Sequence, residues 1–278
     1  MTDPDDSWLA QRREVRGTVE RDRWGRPKIK GPDGKQRAYT RCTTFIDCLE
    51  KRDLLENWKK RQVLVGAALR PDLIQAASTT FDRDELDALA EEALKAAGAN
   101  DKRDKGTLLH ALSEAVDRGE PLPPDTDERD RRDMHAYWNA TRGMHFTHIE
   151  TFTAYDPFKV AGTPDRIVRY QGRNYISDLK TGRVDFGALK IGMQLSVYSR
   201  SVFYDHVTGE RSDMPDVDQT RGLVIHLAAG SAKVEPLWVD LETGWESVLL
   251  AKRVRESRNV GAKQMFSPFL PAVEAVAS

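Results

Sequence analysis

Cysteine is nearly missing from this sequence: Cys42 and Cys48 are the only two among 278 residues. Two thiols cannot build a framework of structural disulfides, which excludes the disulfide-stapled secreted folds and fits a reducing cytoplasm. Long apolar runs are missing too. No stretch approaches the roughly 18 residues that a membrane span needs, so no membrane partner is expected. The N-terminal MTDPDDSW is acidic and lacks the apolar core of a secretory signal. Nor is there an excess of one charge: 31% of the residues are charged, yet the formal net charge is -1. That balance disfavours a surface coated in cations, although acidic ligands and a basic channel can cancel in the sum. With 39% apolar residues, the chain has enough material for one large domain, or for a core with an accessory lobe.

The first part of the chain reads as helical. Residues 1–40 suggest an exposed arm and a hairpin, with turn chemistry at Trp24-Gly25-Arg26-Pro27 and Gly31-Pro32-Asp33-Gly34. Thr43 or Thr44 can cap a helix containing Phe45, Ile46 and Leu49. Helices follow from Asp53 to about Leu69, Asp82 to Ala97, Gly106 to about Arg118 and Asp125 to Gly143. Then the period changes to that of strands at His145 to Tyr155, Val160 to Tyr170 and Asn174 to Lys180, the last two joined by a tight turn at Gln171-Gly172-Arg173. A helix over Phe186 to Tyr204, strands Leu223 to Leu227 and Val234 to Leu241, and a helix from Glu242 to Arg258 complete the order. This predicts an α/β or α+β arrangement around a central sheet of about five strands. The expected boundary separates an N-terminal arm, hairpin and helical lobe (1–102) from a core (103–278).

The chemistry concentrates in Gly162-Thr-Pro-Asp165-Arg166 and Asp178-Leu179-Lys180-Thr181-Gly182. Residues two apart on a strand share a face, so Asp178 and Lys180 project together. Asp165 stands on the neighbouring strand of the hairpin. Two carboxylates and an ammonium at one sheet edge suit a hard divalent cation, which prefers oxygen ligands. As a lone motif D-x-K is as easily a solvated ion pair, and Asp165 as easily a turn cap; the ordered set carries the signal. Upstream, His110 and Glu114 share a helical face; downstream, Gln194 and Tyr198 do. The other histidines, His135, His145, His148, His206 and His226, read better as core or surface residues.

In that order, G-x-x-x-H, G-x-x-D, D-x-K-T-G and Q-x-x-x-Y, the chain resembles the RecB-like branch of the PD-(D/E)XK nucleases, over roughly residues 103 to 245. The phage and CRISPR-associated exonucleases share the order. The resemblance implies a restriction-endonuclease-like α/β core with a central mixed sheet flanked by helices. It implies that His110, Asp165, Asp178 and the Leu179 carbonyl bind Mg2+ or Mn2+, and that Lys180 is the catalytic lysine beside Asp165 and Asp178. Gln194 and Tyr198, with Arg166 and Thr181, stand as candidate substrate contacts. Glu114 and Glu150 are candidates for supporting the ligands from behind. Many relatives carry four cysteines for an iron–sulfur cluster; two cannot ligate one, so no cluster is expected. The implied function is a metal-dependent DNA exonuclease of phage or bacterial recombination or repair. DNA ends would be its partners, with room for an annealing protein or an oligomer, in the bacterial cytoplasm. Two alternatives stay open: an inactive DNA-end-binding module and a structure-specific endonuclease.

Basic residues cluster at Lys59-Lys60-Arg61 and at Lys252, Arg253, Arg255 and Arg258. The second group is the better candidate for phosphate contact. Trp24, Trp58 and Tyr198 are candidate stacking aromatics, with Trp58 better read as core.

Overall fold

The computed structural model describes residues 19–51, 53–267 and 269; of the arm and hairpin expected over residues 1–40, residues 1–18 lie outside them. In chain order, strands β1 (Lys28–Lys30), β2 (Gln36–Ala38) and β3 (Thr40–Arg41) precede helices α1 (Cys42–Ile46), α2 (Asp53–Leu69), α3 (Pro71–Ala77), α4 (Arg83–Ala96), α5 (Asp101–Asp117) and α6 (Glu128–Ala140). Strands β4 (His145–Ile149), β5 (Thr153–Tyr155), β6 (Val160–Gly162), β7 (Arg166–Tyr170) and β8 (Arg173–Lys180) follow. Then come α7 (Ala188–Tyr198), β9 (Val202–Tyr204), β10 (Arg211–Ser212), β11 (Arg221–Ala228), β12 (Lys233–Asp240), α8 (Leu241–Ser257) and α9 (Ala262–Met265).

The fold is α/β. Its main sheet is mixed, in the order β12-β11-β8-β7-β4. The β7–β8 hairpin turns at Gln171 and Gly172, both with positive φ, the backbone of the tight turn that matches strand twist. From β8 the chain crosses through α7 to β11, which pairs parallel with β8; a parallel pair requires such a long connection. One face of the sheet presents Ile167, Ile176 and Val224 to α1, α7 and α8, where Phe45, Leu195 and Val248 complete a core. The other face presents Val168, Leu179, Ile225 and Leu227 to α5 and α6, against Leu109, Leu112, Met134 and Tyr137. Aspartate side chains start three of the helices: Asp82 caps α4, Asp127 caps α6 and Asp240 caps α8.

A second five-stranded sheet, in the order β10-β9-β5-β6-β3, was not foreseen. Two segments expected to be single strands each cross between the sheets. The first breaks at Glu150, whose φ is 51°, so β4 lies in the main sheet and β5 in the second. The second breaks at Thr163-Pro164, which separates β6 from β7, because proline cannot donate to a ladder. The breaks lie side by side: the Glu150 N–H donates to the Asp165 carbonyl at 2.9 Å. The ribbon made by these strands therefore bends where Asp165 stands.

Other expectations need correction. The helix predicted to reach Tyr204 ends at Tyr198. The Ser199 and Ser201 hydroxyls bond back to the helix carbonyls of Ser196 and Val197, and Val202-Phe203-Tyr204 joins the second sheet as β9. Neither Thr43 nor Thr44 caps α1; its N-cap is Arg41, with no side-chain bond. Contacts cross the expected division at residue 102. β3 pairs with β6, and α1 belongs to the core beside α7. Helices α2, α3 and α4 pack chiefly on one another. Among the described residues, no helix is long and apolar enough to cross a membrane.

Candidate active site

The end of β8, the bend before β7 and the middle of α5 meet at one edge of the main sheet. Asp178 and Lys180 alternate with Leu179, which is fully buried in the core on the opposite face. Lys180 Nζ stands 2.5 Å from Asp178 Oδ2. Asp165 enters from the bend, and its Oδ2 accepts the Leu179 backbone N–H at 2.8 Å. His110 reaches the same oxygen from α5, with Nδ1 3.3 Å away. Gly106 explains how α5 comes so near: a Cβ there would lie 3.1 Å from Thr181 Oγ1. The helix begins at Asp101 rather than at Gly106, so this glycine is an interior approach point and not a start signal.

The electrostatics follow from crowding acids out of water. Burial and then the Asp165 charge push the Asp178 carboxyl up to about 6, against the pull of Lys180. Burial also raises Asp165, although Arg166, the Leu179 N–H and Lys180 lower it. Glu150, at the bend, is raised to about 8 by partial burial of its carboxyl and then by Asp165 and Glu114. Burial lowers His110, more than Asp178 raises it. A neutral imidazole at neutral pH keeps a lone pair for a metal.

The donor set fits a hard divalent cation. Burial, and after it the charge of neighbouring carboxylates, raises the proton affinity of Asp165, Asp178 and Glu150, and a bound cation would offset that penalty. Adjacent ligands about 2.1 Å from an octahedral Mg2+ lie about 3 Å apart, close to the His110 to Asp165 separation. Among the described residues, no three His, Cys, Asp or Glu side chains already converge on one point; Lys180 holds the side of Asp178 that a cation would share. Mg2+ or Mn2+ would be held by Asp165, Asp178 and His110.

The remaining expected residues divide. Thr181 is half-buried beside Gly106. Gln194 is half-buried, one helical turn before Tyr198 on α7. Glu114 pairs with Arg118 at 3.1 Å and adds its charge at Asp165 and Glu150. Glu150 stands at the rim, with part of its side chain open to solvent.

Two residues are corrected. Tyr198 is 4% exposed and lies under Gly162, so it supports the Asp165 segment from within the core and reaches neither phosphates nor bases. Arg166 is 1% exposed. Its Nη2 donates to Ser113 Oγ at 2.6 Å and its Nε pairs with Asp117. Arg166 bolts α5 to the sheet and is not a substrate contact. Asp117 in turn accepts the Tyr137 hydroxyl at 2.8 Å.

Sequence reasoning missed Asp117 and Ser113. Their spacing from His110, three and then four residues onward along one helical stripe, was the available signal. His226, read as a core or surface histidine, is half-buried, and its Cα pairs with that of Lys180 across β8 and β11. The cations of α8 are partly engaged elsewhere: Lys252 pairs with Glu256, and Arg255 donates to the Thr44 carbonyl. Cys42 is buried and Cys48 half-buried. Burial pushes the Cys42 thiol up, which suits a packing role. No family model matches the sequence, and no curated protein matches it either.

Proposed function

We propose that this chain is a metal-dependent nuclease of the RecB-like PD-(D/E)XK type that hydrolyses DNA phosphodiester bonds, working as an exonuclease in phage or bacterial recombination or repair. One observation carries the reading. His110, Asp165, Asp178 and Lys180 come from α5, the inter-sheet bend and β8, and meet at a single sheet edge. A solvated ion pair has no need of a buried second carboxylate, nor of a histidine brought in on a separate helix.

When bound, Mg2+ or Mn2+ would supply Lewis acidity, lowering the pKa of a bound water and neutralising phosphoryl charge. Asp165 and Asp178 would hold the cation with His110. The Leu179 N–H fixes the Asp165 rotamer. Lys180, released from Asp178, presents its ammonium to the attacking water or to charge building on the phosphoryl oxygens. Thr181 and Gln194 border the position of the substrate strand. Arg166, Ser113 and Asp117 hold α5, and so His110, at its distance from the sheet.

The test uses purified protein with linear and covalently closed circular DNA, with Mg2+ or Mn2+ and with chelator. Metal-dependent loss of linear DNA alone is expected, and Lys180→Ala should slow it by about two to three orders of magnitude. Absence of cleavage of every form would overturn the nuclease reading, and cutting of closed circles would turn it into an endonuclease.

A further inference from the structure

Outside the acidic site, an open groove of about 920 Å³ lies between α6 and the edge strand β12. Its walls carry Arg131, Arg132 and Lys233 against one carboxylate, Glu128, with His135 and Asn139 between them. The chain as a whole has a net charge of -1, so this is a local concentration of positive charge. Arg131 is held by the carbonyls of Pro123, Pro124 and Thr126. Arg132 and Lys233 are exposed. Beside His135, with ring centroids 6.2 Å apart, lies Trp138. Its ring is 48% exposed and is covered by the Arg142 guanidinium at 4.2 Å. Cations alternating with an exposed aromatic ring are what a single nucleic-acid strand requires: charge for phosphates and a flat face for a base.

The groove is also connected to the site. The Asp133 carboxylate accepts the N–H groups of Gly230 and Ala232 at 2.6 and 2.8 Å, pinning the β11–β12 turn to α6. At the other side of that turn, the Ala229 N–H points to the Thr181 carbonyl at 3.4 Å, next to Lys180. Turn, groove and candidate centre share one end of the sheet. His226, beside Lys180 in the register, stands on the strand that leads into the turn.

We infer that the α6–β12 groove is a track for a single nucleic-acid strand, whose phosphates meet Arg132 and Lys233 and whose base stacks on Trp138, continuous with the strand held at Lys180. This rests on the nuclease reading only in placing the strand at Lys180. The binding itself is measured without cleavage.

The probe is fluorescein-labelled oligothymidine in chelator, followed by anisotropy across a salt series. Wild type should bind with an affinity that falls steeply with salt. Arg132→Ala with Lys233→Ala should bind at least tenfold more weakly, and its slope of log K against log salt should shrink by about 1.4, at about 0.7 for each phosphate that the protein no longer neutralises. Trp138→Ala should weaken binding with the slope unchanged. Arg253→Ala with Arg258→Ala, at the end of α8, removes the rival basic cluster for comparison. The substituted groove residues are exposed, and circular dichroism checks the fold of each variant. Equal binding by the groove variant and wild type would overturn the inference, as would weakening confined to the α8 variant. Equally tight binding of polyglutamate would also overturn it, by marking an acidic protein as the partner. Groove-dependent binding without any metal-dependent cleavage would sink the nuclease reading and leave the track standing.

Discussion

The Tyr198 hydroxyl lies so close under Gly162 that a Cβ on that glycine would sit 2.6 Å from it and 3.1 Å from the ring edge at Cε1. The glycine of the G-x-x-D segment and the tyrosine of the downstream helix are thus one packing unit, and the segment they support ends at Asp165. Gly162→Ala should destabilise the protein by about 1–3 kcal/mol, the cost of overpacking a filled site, and should lower activity through Asp165. Adding Tyr198→Phe should recover part of the stability, since the hydroxyl makes the closest contact. Urea unfolding of the single and double variants reads the non-additivity; strict additivity would contradict the contact.

Arg166 is predicted to act on folding and not on substrate. Arg166→Ala leaves the Asp117 carboxylate buried without its guanidinium, a loss of about 3–5 kcal/mol for a broken buried pair. Chemical denaturation should show that loss. Oligonucleotide affinity of the folded fraction should stay within about twofold of wild type, well under the tenfold that about 1.4 kcal/mol represents. A variant of normal stability with weakened binding would restore Arg166 to the groups that touch substrate.

Lys180→Ala should reduce turnover by about two to three orders of magnitude, the usual loss when a donor to transition-state charge is removed, with little change in KM. Single-turnover cleavage under saturating metal measures it. A variant whose activity recovers fully at high metal concentration would show that Lys180 merely competes with the cation for Asp178.

Metal-free stability should depend on pH through Asp178. Its carboxyl rises from the ordinary 3.8 to about 6 on folding, so between those values the folded protein keeps a proton that the unfolded chain has released. Stability from this group is therefore complete below about pH 4 and falls as the pH rises toward 6. In chelator, Asp178→Asn should be more stable than wild type at pH 7 by on the order of 3 kcal/mol, with the curves meeting near pH 4. Mn2+ should then raise the Tm of wild type and not of the variant, as a ligand of the folded state does. Thermal unfolding across pH with and without Mn2+ tests both halves.

Much of the main sheet was legible. The turn at Gln171-Gly172 and the D-x-K alternation on β8 place two functional groups on one face by strand geometry alone. α2, β8, β11, β12 and α8 fall within a few residues of their predicted bounds, because each pairs a clear period with a clear stop. The second sheet was not legible. Its strands are two or three residues long, too short for a period to register, and two of them continue strands of the main sheet past a bend. Tyr198 and Arg166 carry the same lesson. Their polar ends suggested contact with substrate, and only packing revealed that Gly162 and Asp117 had claimed them.

Local chemistry alone determined the alternation of Asp178 and Lys180, the tight hairpin that brings Asp165 near them, and the shared helical face of His110 and Glu114, since each depends on spacing within one element or one turn. Only the tertiary structure decided that the carboxylates would be buried enough to raise their proton affinity, that α5 would approach to His110's reach, and that the Arg166 cation would face inward. Those properties come from desolvation and close packing between elements far apart in sequence, which the order of residues along the chain does not express.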